Sequence, residues 1–419
     1  MRKYARRMRI LDCGSQDLPS PQVLSILQLG IPHEPLFPNL ETLILWIIQD
    51  EVIPFIPLFF SPRTTTTDLD FSDIDFHKIT AAYMITTLPK LCPNLRDISL
   101  AGLPRDPAIT LAISELVLNT KENTLLSFDA DSSLTEQAYE VLYKHPHLRT
   151  LRLFLDRPNT FPTMELQNLT ELYVNYYHDH DWLQSLCGAS LGKLASITIV
   201  SESDPMDGFL GAFQTVALTT SIPASLSTFW FRTNHTWRPT YRSLLPFTRL
   251  TSLDIESPCT LALGCSSTID DDTITDLARA MPKLQALRLG TCPCGIPGGV
   301  TVKGLVTLAN YCPHLYELKI HFQVATLNPP EILSLISTDN STTPRKDCAF
   351  RLLHVGRIPV PEESALRVAS ALVIIFPRLK YINYRDGGWK KVLKAIDSRE
   401  RLLGSPGKTC LFVALQWYS

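Results

Sequence analysis

The chain is poor in charge and has no long apolar run. Charged side chains make up 19% of 419 residues, and 39 Lys and Arg nearly balance 41 Asp and Glu, for a formal charge of −2. That balance excludes a general attraction to nucleic acid or to an anionic membrane, since the chain has no net field to offer either. No stretch approaches the roughly 18 consecutive apolar residues of a membrane-spanning helix. The apolar run around Leu58 to Phe60 is broken by Pro54, Pro57 and Pro62. The opening MRKYARRMRILDCG is basic but lacks the apolar core of a secretory signal. Ten cysteines without such a signal are expected to be reduced thiols, and the expected location is cytoplasmic or nuclear. The sequons at Asn168, Asn234 and Asn340 are then expected to stay unglycosylated.

Chemistry-bearing motifs are equally scarce. There is no His-Glu-x-x-His. The run from Gly404 to Thr409 has two residues between its glycines, where a phosphate-binding loop needs four so that its amides can wrap the phosphates. Gly188, Ser190 and Gly192 match the letters of a hydrolase nucleophile elbow. That elbow needs a strand before the serine and a helix after it, whereas here a strand is predicted to follow. His178 to Asp181 alternates His and Asp on a loop, without the fixed set of ligands a tight metal site requires. Cys259, Cys265, Cys292 and Cys294 follow the strands of adjacent repeats, but Cys-x5-Cys and Cys-x-Cys are not the usual zinc-finger spacings. The expectation is no catalytic residue, no metal and no cofactor.

What the chain has is a phrase that returns. A bulky residue, Pro and any residue precede Leu-x-x-Leu-x-Leu in FPNLETLIL from Phe37, CPNLRDISL from Cys92 and HPHLRTLRL from His145. It recurs in MPKLQALRL from Met281, CPHLYELKI from Cys312 and FPRLKYINY from Phe376. With weaker copies, the spacing is about 20 to 35 residues, the sequence signature of a leucine-rich-repeat solenoid. The predicted fold is an α/β horseshoe of 13 or 14 irregular repeats over residues 1–386, with a concave parallel sheet and convex helices. Residues 387–419 are expected to form a non-repeat tail. In Leu284-Gln-Ala-Leu287-Arg-Leu289, positions one, four and six should point into the core, and two, three and five outward. Helices are expected at Ile269 to Arg279, Val302 to Tyr311 and Ser364 to Phe376. Degenerate repeats are expected to start near Ala5 and Thr66, and Ser61 to Thr67 to form a loop.

The stretches Ile269 to Cys292 and Val300 to Phe322 resemble the cysteine-containing leucine-rich repeat of F-box proteins. Leu284, Leu287, Leu289 and Cys292 match the family pattern, as do Cys312, Pro313 and Leu315. The whole chain is similar to the repeat region of fungal F-box-like proteins. An F-box itself, opening Leu-Pro-x-Glu, is not found in the sequence. The resemblance implies a substrate receptor of an SCF-type ubiquitin ligase that binds a protein substrate on its concave face. A Skp1-type adaptor and cullin would be reached through a segment not seen in this sequence, with the chain a monomer in that larger complex. The alternative is a free-standing recognition scaffold.

Positions five and seven of successive strands line the concave face. There the sequence offers Arg152, Phe154, Tyr173, Trp230 and Arg232 as a solvent-facing strip of interface-prone side chains. It turns basic through Arg288, Lys319, His321, His354 and Arg385. The expected protein-binding residues are Arg152, Phe154, Tyr173, Trp230, Arg232, Arg288, Lys319 and His321.

Overall fold

The computed structural model describes residues 2–14, 17–30, 35–72, 78–120, 124–156, 165–177, 182–183, 186, 189, 191–202, 209–233, 241–256, 269–289, 299–338, 349–356, 358–384 and 387–402. Two compact units divide the chain, one of residues 1–194 with 219–221, the other of 195–218 with 222–419. Both have the leucine-rich-repeat solenoid fold, parallel strands each followed by a return segment that is often helical.

In the first unit the strands are β1 (Ile10–Gly14), β2 (Thr42–Trp46), β3 (Thr66–Asp70), β4 (Asp97–Ala101), β5 (Ser127–Ala130), β6 (Thr150–Leu155) and β7 (Glu171–Tyr176). In the second they are β8 (Ser196–Ser201), β9 (Thr228–Thr233), β10 (Ser252–Glu256), β11 (Ala286–Leu289), β12 (Glu317–Lys319), β13 (Leu352–Gly356) and β14 (Tyr381–Tyr384). Within each unit every strand pairs in parallel with the next in the chain, so equivalent positions of neighbouring repeats stand side by side.

The recurring phrase is a β-turn. The amide of the first leucine bonds the carbonyl of the residue before Pro: Leu40 to Phe37 at 3.0 Å, Leu284 to Met281 at 3.1 Å, Leu315 to Cys312 at 3.1 Å and Leu379 to Phe376 at 3.1 Å. Proline suits the second place of such a turn because its φ is already set. The residue before Pro also closes the preceding helix: Met281 N–H reaches Leu277 O at 2.9 Å and Phe376 N–H reaches Leu372 O at 2.7 Å. Each strand then drops its first, fourth and sixth side chains into the core, where Leu284, Leu287 and Leu289 are fully buried. Helices Asp271–Ala280, Val302–Tyr311 and Ala365–Ile375 back the second unit close to the expected spans. Asp270 caps the first of these, its carboxylate accepting Thr273 N–H at 2.8 Å.

Two expectations are corrected. The repeat expected near Thr66 begins at Thr64, in register with Leu40 and Leu95, so Ser61 to Thr67 already contains a joint and the start of β3. Ser61-Pro62-Arg63-Thr64 is a joint with threonine in place of leucine, and Thr64 N–H bonds Ser61 O at 2.9 Å. Thr64 and Thr67 occupy positions one and four and are buried, which hides the repeat from a search for leucines. The first repeat starts at Met8 rather than Ala5, because Leu11 and Cys13 pair with Leu43 and Leu45. Ile10, which the earlier register would bury, is 61% exposed. At the other end, helix Gly387–Leu402 packs on Ala365–Ile375, with Trp389 fully buried and its indole N–H on Ile358 O at 2.7 Å.

Thr64 Oγ1 donates to Leu40 O at 3.1 Å, but Thr67 Oγ1 is buried without a partner among the described residues. An unpaired buried hydroxyl costs about 1–3 kcal/mol. Thr67→Val keeps the β-branched shape and removes that cost, so it should raise stability by about 1 kcal/mol, read from the midpoint of urea unfolding.

Candidate protein-binding face

The strand face not used for the core carries the outward residues of each repeat. In the first unit, position five reads Asp12, Ile44, Asp68, Ser99, Asp129, Arg152 and Tyr173 across β1 to β7 in direct register. Position seven adds Trp46, Asp70, Asp131 and Phe154. Arg152 reaches Asp129 at 3.4 Å and Asp131 at 3.3 Å, and its guanidinium stands 4.2 Å from the centre of the Tyr173 ring. Asp131 also accepts Gly102 N–H at 3.1 Å, and Trp46 Nε1 donates to Asp12 Oδ1 at 2.9 Å. Gly102 takes φ +66°, where a Cβ would lie 2.4 Å from Ser72 N, so the turn after β4 is closed to other residues.

Asp129 is the perturbed group of this row. Burial raises its pKa from 3.8 to about 6, aided by Asp131 and Asp68, against the opposing pull of Arg152. Asp68 and Asp70 were not read from the sequence as members of these rows, because the hidden joint at Ser61 shifted their repeat.

Phe154 was expected to face solvent. Instead it is only 7% exposed. Arg105, from the loop after β4, lies over it at 5.1 Å and over Tyr177 at 3.9 Å, donating to the Tyr177 hydroxyl. No repeat pattern marks Arg105, because it lies outside the strand phrase.

In the second unit the basic residues are matched by acids. Arg288 on β11 donates to Asp254 Oδ2 at 2.9 Å and, through two nitrogens, to Glu317 at 2.7 and 2.8 Å. His354 Nε2 lies 2.9 Å from Glu317 Oε1, and Asn383 Nδ2 is 3.2 Å from His354 Nδ1. Lys319 reaches Glu256 at 3.3 Å. The row is thus a chain of paired charges and not the open basic surface the sequence implied. Burial pushes the Glu317 carboxyl up, but His354 and Arg288 outweigh it and hold its pKa at about 2. His321, expected on the face, is buried at 7% exposure.

Trp230 and Arg232 on β9 differ from all of these. Arg232 is exposed and Trp230 half-buried, and among the described residues neither is engaged in an ion pair or side-chain hydrogen bond. Arg385, His178 to Asp181, Ser190 and the cysteines at 259, 265, 292 and 294 lie outside the described residues. Among the described residues no group of three His, Cys, Asp or Glu could hold a metal ion, and no helix is long and apolar enough to cross a membrane. Burial pushes the Cys92 thiol up to about 12, despite opposing hydrogen bonds from Thr64 and Ser61, so it is a packing residue at its joint.

Comparison with known proteins adds little. No family model matches the chain, and no curated protein matches it. Among solved structures it is similar to the leucine-rich-repeat ectodomain of the plant membrane receptor kinase GASSHO1/SCHENGEN3 from Arabidopsis thaliana, in complex with CASPARIAN STRIP INTEGRITY FACTOR 2. Identity is 12% and the TM-score 0.24, with 92% of this chain and 46% of that chain covered. The chain therefore spans under half the length of that ectodomain. At this score the likeness carries no weight for function.

Asp129 and Glu317 should respond oppositely to pH. Asp129 has a raised pKa, so its ionisation costs stability as pH rises from about 4 through 6. Asp129→Asn should therefore be more stable than the parent by about 1–3 kcal/mol at pH 7, with the difference vanishing below pH ~4. Glu317 has a lowered pKa, so its contribution is present above about 4.5 and lost as pH falls toward 2. Glu317→Gln should be less stable than the parent at pH 7, and the gap should close on acidification over that window. Thermal midpoints measured across pH check both.

Proposed function

We propose that this chain acts by recognising a protein on the helix-free face of its strands, with Trp230 and Arg232 at the centre of the contact. One observation carries the reading. Among the described residues, Trp230 and Arg232 stand on that face without an ion pair or side-chain hydrogen bond, whereas Arg152, Arg288 and Lys319 are held by carboxylates of the chain itself. A half-buried Trp beside an exposed Arg on a sheet face brings together the side-chain types that dominate interface energetics. On the same unit, Arg288 and Lys319 then serve as a charged rim, while His321 lies buried behind the face.

The finer reading is a substrate receptor of an SCF-type ubiquitin ligase, supported by the resemblance of the repeats at Leu284 to Cys292 and Cys312 to Leu315. The Skp1-type adaptor and the cullin are then recruited through a segment outside the strand face. The chain positions a protein substrate and performs no chemistry itself. The alternative is a free-standing scaffold that uses the same face without that machinery.

The test is affinity capture from the chain's own cell extract, read by mass spectrometry, with Trp230→Ala/Arg232→Ala alongside. Both substituted side chains leave the core untouched, so thermal midpoints should match. The expected result is a loss of about tenfold or more in one set of partners. Adaptor and cullin retained by the double variant support the ligase reading, and their absence from both captures supports the scaffold. Quantitative retention of every partner by the double variant overturns the site.

A further inference from the structure

The second unit shows how this kind of sheet holds a guanidinium. Arg288 stands at position five of β11, and the acids that bind it come from the strands on both sides. Asp254 on β10 lies at 2.9 Å and Glu317 on β12 at 2.7 and 2.8 Å. The first unit has the acids of such an arrangement around β4. Asp68 on β3 and Asp129 on β5 flank position five of β4 in direct register, and that position is Ser99. Position seven repeats the pattern, with Asp70 opposite Ala101 and Asp131 following Ala130 of β5. Two strand spacings, about 10 Å, separate the acid pairs, and the small Ser99 and Ala101 lie between them. The charged residues at outward positions three, five and seven of β2 to β6 are Asp68, Asp70, Asp97, Asp129, Asp131 and Arg152. Arg152 pairs with Asp129 and Asp131 from the β6 side. Asp68 has no ion pair or hydrogen bond among the described residues, and Asp70 accepts only from Ser72. Arg96 and Arg149 stand at position two, about 10 Å back along their strands from position five, and Arg105 lies on the rings of Phe154 and Tyr177.

Beside these acids the face is apolar. Trp46, at position seven of β2, is 47% exposed and fixed by its bond to Asp12. Ile47 follows at 56% exposed, with φ +52°. A β-branched residue in the left-handed region is strained, and glycine would suit the turn better. An isoleucine that strains the turn and leaves its side chain in water serves neither the turn nor the core, which points to a contact outside the chain. The chemistry selects the occupant. The acids do not converge as metal ligands must, since no group of three His, Cys, Asp or Glu among the described residues could hold an ion. Nucleic acid and anionic lipid are repelled by the carboxylates. A second copy docked face to face would oppose the same acids. A basic polypeptide satisfies both parts, because a guanidinium can bond carboxylates on two sides while apolar neighbours cover Trp46 and Ile47.

We propose that the strand face of the first unit, from β2 to β5, docks a basic segment of a partner protein. An arginine of that segment lies over Ser99 and Ala101, with Asp68 and Asp70 on one side and Asp129 and Asp131 on the other, as Arg288 lies between Asp254 and Glu317. Apolar side chains of the segment cover Trp46 and Ile47. The carboxylates select for charge and the apolar pair adds buried area. This surface is distinct from Trp230 and Arg232 and does not rest on the contact proposed there.

The probe is a short fluorescent peptide alternating Leu and Arg, compared with its Leu and Glu counterpart and titrated against the full chain by anisotropy. The Arg peptide is expected to bind at least about tenfold more tightly. Asp68→Asn/Asp129→Asn keeps both side-chain shapes and should weaken it about tenfold. Ser99→Arg supplies the guanidinium from the chain itself, so it should raise the thermal midpoint and weaken the peptide about tenfold. Ile47→Gly relieves the backbone, so it should also raise the midpoint while weakening the peptide severalfold. A purely structural Ile47 would not separate those two readouts. Trp230→Ala/Arg232→Ala should leave peptide binding unchanged, which keeps this result independent of the second unit. If Ser99→Arg unfolds the chain, the Asn pair and Ile47→Gly decide. Equal binding of the two peptides, binding of neither, or indifference to the Asn pair overturns the proposal. So does a self-association that Ile47→Asp abolishes, which assigns the surface to a second copy. A rise in thermal midpoint with calcium that the Asn pair abolishes assigns the acids to a metal ion instead.

Discussion

The structure depends on one hydrogen-bonded turn, closed between the residue before each proline and the first leucine of the strand. It does two jobs at once. The residue before Pro ends the returning helix through its own N–H, and its carbonyl accepts the amide that launches the strand. The phase of the strand is therefore fixed before any packing occurs. Because side chains alternate along a strand, a slip of one residue would put the leucines on the outside. Correct phase in one repeat then constrains the next through parallel pairing. The tolerance of the joint is instructive: Ser61-Pro62-Arg63-Thr64 closes the same turn without leucine, and Thr64 replaces lost apolar contact with a hydrogen bond to Leu40 O.

Fixing the core in this way leaves the outward positions free, and the two units use that freedom differently. The second unit consumes its charges internally. Arg288 is held between Asp254 and Glu317, and both acids are nearly buried. Such a network is weak evidence for stability, since desolvation of the ions offsets much of their attraction. Its firmer consequence is geometric, because a doubly bonded guanidinium and its neighbours hold one arrangement. The first unit instead sets Asp68, Asp70, Asp129 and Asp131 along its strand face, and Arg152 pairs with Asp129 and Asp131. Burial then leaves Asp129 short of charge compensation, which its raised pKa records.

Most of the fold was legible because its determinants are local. Pro, the leucine triplet and the acid-capped helix at Asp270 each act within a few residues, so the repeats and the helices Asp271–Ala280 and Val302–Tyr311 lie close to where the pattern puts them. What was hidden required knowledge of neighbours. Thr64 and Thr67 read as loop residues until pairing with Leu40 and Leu43 places them in the core. Ile10 and Leu11 cannot be assigned an inside and an outside without β2. The face was less legible still. Positions five and seven identify which side chains point outward, but not which are already engaged. Arg288 and Trp230 have equal standing in the pattern, and only the acids contributed by β10 and β12 distinguish them. Glu317 does so from position three, and Arg105 covers Phe154 from a loop that the pattern does not describe.

This distinction bears on how a repeat array acquires a partner. A charged side chain already satisfied within the protein must give up that partner, or share it, to bind another, so its net gain on association is small. Arg288 would have to leave Glu317 and Asp254 nearly buried and uncompensated, a larger loss than a new surface contact returns. Arg152 is about as exposed as Arg288, and it too neutralises two carboxylates and stacks on Tyr173. Among the described residues, Trp230 and Arg232 have no such bonds to surrender, and their strand is held in register by β8 and β10 on its two sides. They can offer area and donors without reorganising the sheet. In the proposed contact, the paired charges of Arg288, Asp254 and Glu317 on the same unit exclude partners that cannot match their potential, and so supply specificity where Trp230 and Arg232 supply affinity.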